Sequence, residues 1–362
     1  MALAYNRIVI KIGSNVLTQA DGMPDVARME HLVDQITEIK KQGKEVILVS
    51  SGAVASGRSL VKISEKTDAV GSRQLLAAVG QVKLINTYSQ LFGRHDLICA
   101  QVLVTKEDFR DRLHYLNMKN CFQMQLQHNI IPVVNENDVI SVTELMFTDN
   151  DELAGLIASM LNADALIILS NVDGIFNGDP KDSNSEVIQE IGHTTTGFSA
   201  FVTTQKSQFG RGGMITKCHM AHKVAQLGIA VHIANGKTTN ILQRVLEEDV
   251  VNTRFIPKKT ASGKKKWLAH SGSYANGVVQ VNEGACAALT SAKATSLLPV
   301  GVTAISGTFQ KGDIIKIISE SEKHIGLGIA EYSSDKAQEL VGQKNQKELV
   351  HYDYLYLNPD IN

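Results

Sequence analysis

Apolar positions along this chain recur at two spacings, and where one spacing gives way to the other marks the elements. Arg7–Ile12 is a β-branched run closed by Gly13, Ser14 and Asn15, the pattern of a buried strand entering a glycine turn. Residues 25–41 carry Val26, Met29, Leu32, Val33, Ile36 and Ile39 at helical spacing, and Gly43 supplies a C-terminal stop. Residues 45–49 read as the next strand, running through Ser50, Ser51, Gly52 and Ala53 into a helix from Val54. A long helix follows over 72–91. It contains Gly80, which costs ~1 kcal/mol against Ala in a helix interior and so points to close packing. Strands are expected at 98–104, 130–134, 165–170 and 229–234, and helices over most of 108–128 and over 152–161 and 215–227. This strand–helix succession predicts an α/β domain, a mainly parallel sheet covered by helices on both faces with right-handed crossovers.

The pattern changes near residues 254–266, where a basic, apolar-poor stretch carries Lys258, Lys259, Lys264, Lys265 and Lys266. Beyond it, short alternating runs at 277–281, 302–306, 313–318, 325–332 and 352–357 are split by glycines, with a helix at 334–341. That is the pattern of a small β domain, barrel-like, with one or two helices. The expected division is 1–257 for the α/β domain, 258–269 for a basic linker and 270–362 for the β domain. Residues 179–196 are polar and read as a surface excursion, and no internal repeat is evident.

Composition narrows the classes. A chain of 362 residues with 43% hydrophobic and 20% charged residues is an ordinary globular protein of about two domains. Its formal net charge of −1 gives no general attraction to nucleic acid or membrane. The four cysteines, Cys99, Cys121, Cys218 and Cys286, form no Cys-x-x-Cys pair and read as free thiols of a reducing compartment. No apolar run approaches the ~18 residues that span a bilayer, and no leader precedes the first strand, so the expected location is cytoplasmic.

The candidate chemistry centres on residues 135–151, which lie between an apolar strand and a helix start. Glu136, Asp138, Asp149 and Asp151 cannot crowd one site without cations. Two lysines answer this. Lys11 sits inside the first strand, where a buried ammonium either meets an anion or snorkels out along its stem. Lys217 sits in the first turn of the helix that follows the glycine-rich stretch Gln208 to Met214, where a cation is disfavoured unless an anion lies near. Gly13-Ser14 and Ser51-Gly52 are strand-to-helix turns of the kind that bind anions. Two lysines, glycine turns and an aspartate are the parts needed to hold a triphosphate and move its terminal phosphoryl group. The order of a P-loop is absent, as are a Gly-x-Ser-x-Gly elbow and zinc-ligand spacing. His219 and His222 are helix-face neighbours without a third ligand.

Six blocks carry a family resemblance: Val9-Ile10-Lys11-Ile12-Gly13-Ser14, Val49-Ser50-Ser51-Gly52-Ala53, Gln74 through Gln81, Val134-Asn135-Glu136-Asn137-Asp138, Asp149-Asn150-Asp151 and Gly212 through Lys217. The chain resembles the glutamate 5-kinases of the amino-acid kinase superfamily over nearly its whole length, and its last domain resembles a PUA domain. The resemblance implies the amino-acid kinase fold, an α/β/α sandwich, and ATP-dependent phosphorylation of the L-glutamate γ-carboxylate, the first step of proline biosynthesis. It implies Lys11 and Lys217 as the lysines that stabilise the transferring group, with Asp151 orienting them. It implies Ser51, Asp138 and Asn150 as glutamate-binding residues. Nucleotide contacts would fall on Lys11, Gly13, Ser170, Asn171, Arg211, Gly212, Gly213, Met214, Ile215, Thr216 and Lys217. Ser170-Asn171 stands where the family often has Thr-Asp, and Arg73 where a lysine is frequent. Mg²⁺ is implied as a companion of ATP, with no protein ligand named. Proline as a feedback inhibitor, a homodimer or homotetramer, and the next enzyme of the pathway are implied partners. The alternatives are another amino-acid or nucleotide-monophosphate kinase of this fold, or an RNA-binding protein acting through the β domain. RNA is the least favoured, because the basic stretch carries one aromatic, Trp267.

Overall fold

The computed structural model describes residues 3–63, 68–109, 112–141, 147, 149–180, 182, 184–192, 213–258, 275–291 and 295–358. The chain divides into two units, Met1–Thr260 and Ala261–Asn362. Arg211, Gly212, Trp267 and all of the expected linker except Lys258 lie outside the described residues.

The first unit is built on eight strands: β1 Arg7–Ile12, β2 Glu45–Ser50, β3 Cys99–Val104, β4 Ile131–Glu136, β5 Ala165–Ser170, β6 Glu190–Ile191, β7 Ala230–Asn235 and β8 Thr253–Phe255. They lie in the order β3-β4-β2-β1-β5-β7-β8-β6. Every neighbouring pair is parallel except β7 with β8. The helices between them are α1 Ser14–Leu17, α2 Val26–Lys41, α3 Ala53–Arg58, α4 Ala69–Gly93, α5 Arg112–Gln127, α6 Asn150–Met160, α7 Met214–Gln226 and α8 Ile241–Leu246. The mainly parallel sheet follows from strands apolar on both faces, which need helical cover on each side.

Ile8, Ile10 and Ile12 of β1 enter a core with Leu32 and Ile36 of α2, Leu84 and Tyr88 of α4, and Ile241 and Val245 of α8. Strand alternation then turns Lys11 to the opposite face, where α6 packs against β1. Chain order reverses at β1, with β2 on one side and β5 on the other. Outside the carboxyl ends of such strands a crevice opens.

Gly80 does mark a close approach. A Cβ there would sit 1.8 Å from the Ala53 carbonyl oxygen, and one at Gly57 would sit 2.1 Å from that of Leu76. So α3 and α4 meet backbone to backbone, which fixes the turn that precedes α3. Gly52 in that turn has φ +109°, a conformation that L side chains rarely adopt.

The second unit holds a five-stranded sheet, β10-β9-β11-β12-β13, from β9 Gly277–Val281, β10 Val302–Gly307, β11 Ile314–Ser319, β12 His324–Ile329 and β13 Leu355–Leu357. Its core gathers Val279, Val281, Leu297, Phe309, Ile315, Ile317, Ile325 and Val350. The run at 352–357 is only half strand. Tyr354 N–H bonds the His351 carbonyl at 2.8 Å and the His351 and Tyr352 rings lie 4.2 Å apart, so Tyr352–Tyr354 closes a 3₁₀ turn first. Similarly, the helix expected from 108 begins as a separate 3₁₀ turn, Glu107–Phe109. Asp108 there accepts from both the N–H and the hydroxyl of Thr105, at 2.6 and 2.9 Å.

Candidate active site

A cleft of 1390 Å³ lies along the carboxyl ends of β1, β2, β4 and β5. Single-ligand pockets are typically ~300–1,000 Å³, so this one has room for two substrates side by side. Its lining includes Lys11, Gly13, Ser51, Arg73, Asp138, Asp149, Asn150, Asp151, Ser170, Asn171, Gly213, Met214 and Lys217.

The centre is Asp151, 2% exposed in the first turn of α6. Its Oδ1 lies 2.6 Å from Lys11 Nζ, and its Oδ2 accepts a hydrogen bond from Lys217 Nζ. Burial pushes the Asp151 carboxyl up, but the two ammonium groups outweigh it and hold the group well below the usual carboxylate range. Burial also draws both lysines down. For Lys11 it wins, despite Asp151, because Lys217 repels it as well. For Lys217 the pull of Asp151 wins, and its pKa is raised. One carboxylate therefore fixes two ammonium groups side by side at the sheet edge.

Asp149 is the N-cap of α6, its Oδ1 accepting from the N–H groups of Asp151 and Glu152 at 2.9 and 3.0 Å. Burial, reinforced by Asp151, raises its pKa to about 6. Of the two nearly adjacent aspartates, one turns back to cap the helix and the other turns to the lysines. The sequence reading gave Asp149 no role, although Asp149 with Glu152 three residues on is a helix-start signal.

A chain of amides links the turn after β2, the end of β4 and the start of α6. Asn150 Nδ2 donates to Ser51 Oγ and to Asn135 Oδ1, each at 3.0 Å, and Asn135 Nδ2 donates to Gln81 Oε1 at 2.9 Å. This places Ser51 and Asn150 together, and it brings in Asn135 and Gln81, which were not among the binding residues the resemblance implied. Asp138 Oδ1 lies 2.6 Å from Arg73 Nη2, and Gln74 Nε2 donates to the Val139 carbonyl at 2.7 Å. The start of α4 thereby clamps the turn after β4. Glu136 Oε1 accepts the Phe147 N–H at 2.9 Å, and burial lifts Glu136 to about 7.

On the other side, Gly13 donates its N–H to the Leu169 carbonyl at 3.1 Å, and a Cβ there would meet that oxygen at 3.2 Å. Its contribution is closeness of backbone rather than a free amide. Ser170 and Asn171 line the cleft after β5. Gly213 and Met214 reach it, and Gly213 caps α7 with its N–H bonded to Thr216 Oγ1 at 3.0 Å. Ile215 and Thr216 lie along α7 and are not among the lining residues. Among the described residues no group of three or more His, Cys, Asp or Glu side chains could hold a metal ion.

A sequence model of the amino acid kinase family matches residues 6–235, and one of the PUA domain matches residues 277–351. The chain belongs to the amino acid kinase family. Solved structures agree on the fold. Carbamate kinase from Giardia lamblia bound to AMP-PNP superposes with a TM-score of 0.50 at 22% identity, over 70% of this chain and 99% of that one. A T. acidophilum isopentenyl phosphate kinase product complex gives 0.50 at 15% identity, over 69% and 99%. The glutamate 5-kinase of Bacteroides thetaiotaomicron is 54% identical over 99% of this chain and 100% of its own length. That of Chlorobaculum tepidum is 52% identical over 98% of each. Within the family, the chain groups with the glutamate 5-kinases.

Proposed function

We propose that this chain transfers the γ-phosphoryl group of ATP to the γ-carboxylate of L-glutamate, releasing ADP and L-glutamyl 5-phosphate, as the first step of proline biosynthesis. The observation that carries this reading is Asp151 holding Lys11 and Lys217 together in a cleft large enough for two substrates. A γ-carboxylate is already ionised at neutral pH, with an ordinary pKa of ~4.3, so the acceptor needs no general base. The difficulty is bringing two anions into contact, and two fixed ammonium groups answer it electrostatically. In this reading Lys11 and Lys217 neutralise the transferring group and Asp151 orients them. Ser51, Asp138 and Asn150 hold glutamate, with Asp138 facing its ammonium. Gly13, Ser170, Asn171 and the segment from Arg211 to Lys217 hold the nucleotide.

Mg²⁺ would travel on the nucleotide phosphates, where it keeps much of its water. Among the described residues no group of three or more His, Cys, Asp or Glu side chains could cage it. The functional division we propose is a catalytic 1–257, a linker 258–269 and a PUA domain 270–362. No helix among the described residues is long and apolar enough to cross a membrane, and the location we propose is cytoplasmic. Exposed Leu75 and Val82 on α4, Ile98 and Leu103 at the edge strand β3, and Leu113 and Leu116 on α5 support self-association of this unit. Proline as a feedback inhibitor and the next enzyme of the pathway as a partner complete the proposal.

Purified protein with ATP, Mg²⁺ and hydroxylamine tests it. Hydroxamate should form with glutamate and not with aspartate or N-acetylglutamate. Absence of turnover with glutamate would refute the reading.

A further inference from the structure

The cleft holds a second charged pair at its acceptor end. Arg73 lies in α4 and Asp138 follows β4, 65 residues later, yet Nη2 and Oδ1 stand 2.6 Å apart and both residues line the cleft. The Asp138 side chain is 10% exposed and that of Arg73 36%, so the carboxylate is the more enclosed partner of the pair. Arg73 Nε is buried without a hydrogen-bond partner, which leaves the guanidinium with an unused donor. Lys11 and Lys217 are both committed to Asp151.

We propose that Arg73 determines acceptor specificity by seating the α-carboxylate of the amino acid, with Asp138 shared between the guanidinium and the α-ammonium. This rests on the glutamate kinase reading above. The head of an amino acid carries one positive and one negative group on a single carbon. An arginine–aspartate pair offers the opposite charges at similar spacing. Insertion of that head between them leaves every charge with a partner, and the assembly stays neutral. A cleft that offered Asp138 alone would accept amines without an α-carboxylate equally well. The planar fork of arginine can touch Asp138 and a second carboxylate at once, which a lysine ammonium does with less directional fidelity.

Hydroxamate kinetics on wild type, R73K, R73Q and D138N, with L-glutamate, 4-aminobutyrate (glutamate without its α-carboxylate) and glutarate (glutamate without its ammonium), test the assignment. Loss of a charge-assisted fork in R73Q should lower kcat/KM for glutamate by ~30–150-fold, mainly through KM. R73K should fall between R73Q and wild type. The preference of wild type for glutamate over 4-aminobutyrate should shrink in R73Q by the same factor, and D138N should shrink the preference over glutarate. The proposal is overturned if R73Q keeps glutamate kcat/KM within ~3-fold of wild type or loses kcat with KM unchanged. Equal losses on glutamate and 4-aminobutyrate with glutarate spared would also overturn it, because Arg73 would then only position Asp138. Where 4-aminobutyrate is too poor to measure, glutarate decides: R73Q should lose on it as on glutamate, and a spared glutarate rate overturns the proposal. Wild type without any activity on glutamate is a separate outcome, which removes the kinase reading and this inference together.

Discussion

Replacing Asp151 with asparagine changes almost no volume and removes one charge from a buried point of the cleft. The amide oxygen can still accept from one lysine, but the amide NH₂ then points a donor at the other. Two ammonium groups with side chains 8% and 13% exposed lose their counter-charge. Breaking a buried pair by removing one partner costs ~3–5 kcal/mol, a large part of the ~5–15 kcal/mol that holds a domain folded. For a unit of this size each kcal/mol lowers Tm by ~2–4 °C, so the expected fall is ~6–20 °C. The acid side gives a second signature. Asp151 is held below its ordinary pKa, so its stabilising contribution is present above ~3.9 and lost as pH falls below it. That part of the acid dependence should vanish in the variant. Activity should fall by at least ~100-fold in kcat, since the two ammonium groups proposed to face the phosphoryl group are no longer held in place. The fall should steepen as pH rises, because Lys11 is already drawn down by burial and loses the carboxylate that opposed this. Thermal unfolding between pH 3 and 8 with hydroxamate kinetics reads both effects. A Tm within ~2 °C of wild type together with kcat within ~3-fold would refute the reasoning.

Lys217→Ala should lose far more turnover than glutamate affinity if, as proposed, its ammonium acts on the transferring group; an unchanged kcat with a raised glutamate KM would contradict this. Gly80→Ala forces a Cβ against the Ala53 carbonyl, so α3 and α4 must part. Overpacking of this kind costs ~1–3 kcal/mol or more, and Tm should drop accordingly while an Ala78→Gly control changes Tm through helix propensity alone. Glu136 has its pKa raised by burial from 4.5 to about 7, so its stabilising contribution is full below 4.5 and is lost as pH rises through 7. Glu136→Gln keeps an oxygen for the Phe147 N–H and should therefore gain stability over wild type at pH 8 relative to pH 4.5; a pH-independent difference in Tm would count against it.

The amide chain and the two ion pairs show how far local pattern reaches. Residues 7–12 and 165–170 read as strands because β-branched runs bury on both faces, and 25–41 reads as a helix because its apolar residues recur every three or four positions. The same pattern located the small polar turns and the two lysines. It could not divide 108–128 or 352–357, where an Asp108 side chain and a close, tilted His351–Tyr352 ring pair accompany tight turns inside otherwise periodic runs. It also treated Asp149 and Asp151 alike as members of an acidic cluster.

What the sequence determined by itself was the inventory: the strands and helices, the glycine turns at their junctions, and a surplus of carboxylates that demanded lysines. Those are consequences of periodicity, backbone sterics and charge, all of which act within a few residues. The partnerships were decided only by the tertiary structure. Lys11, Asp151 and Lys217 come from three elements spread over more than half the chain, and they meet because β1 lies between β2 and β5 with α6 packed on its face. Arg73 finds Asp138, and Gln81 finds Asn135, because α4 runs across the ends of β2 and β4. Sheet order sets such distances, and no local spacing encodes sheet order.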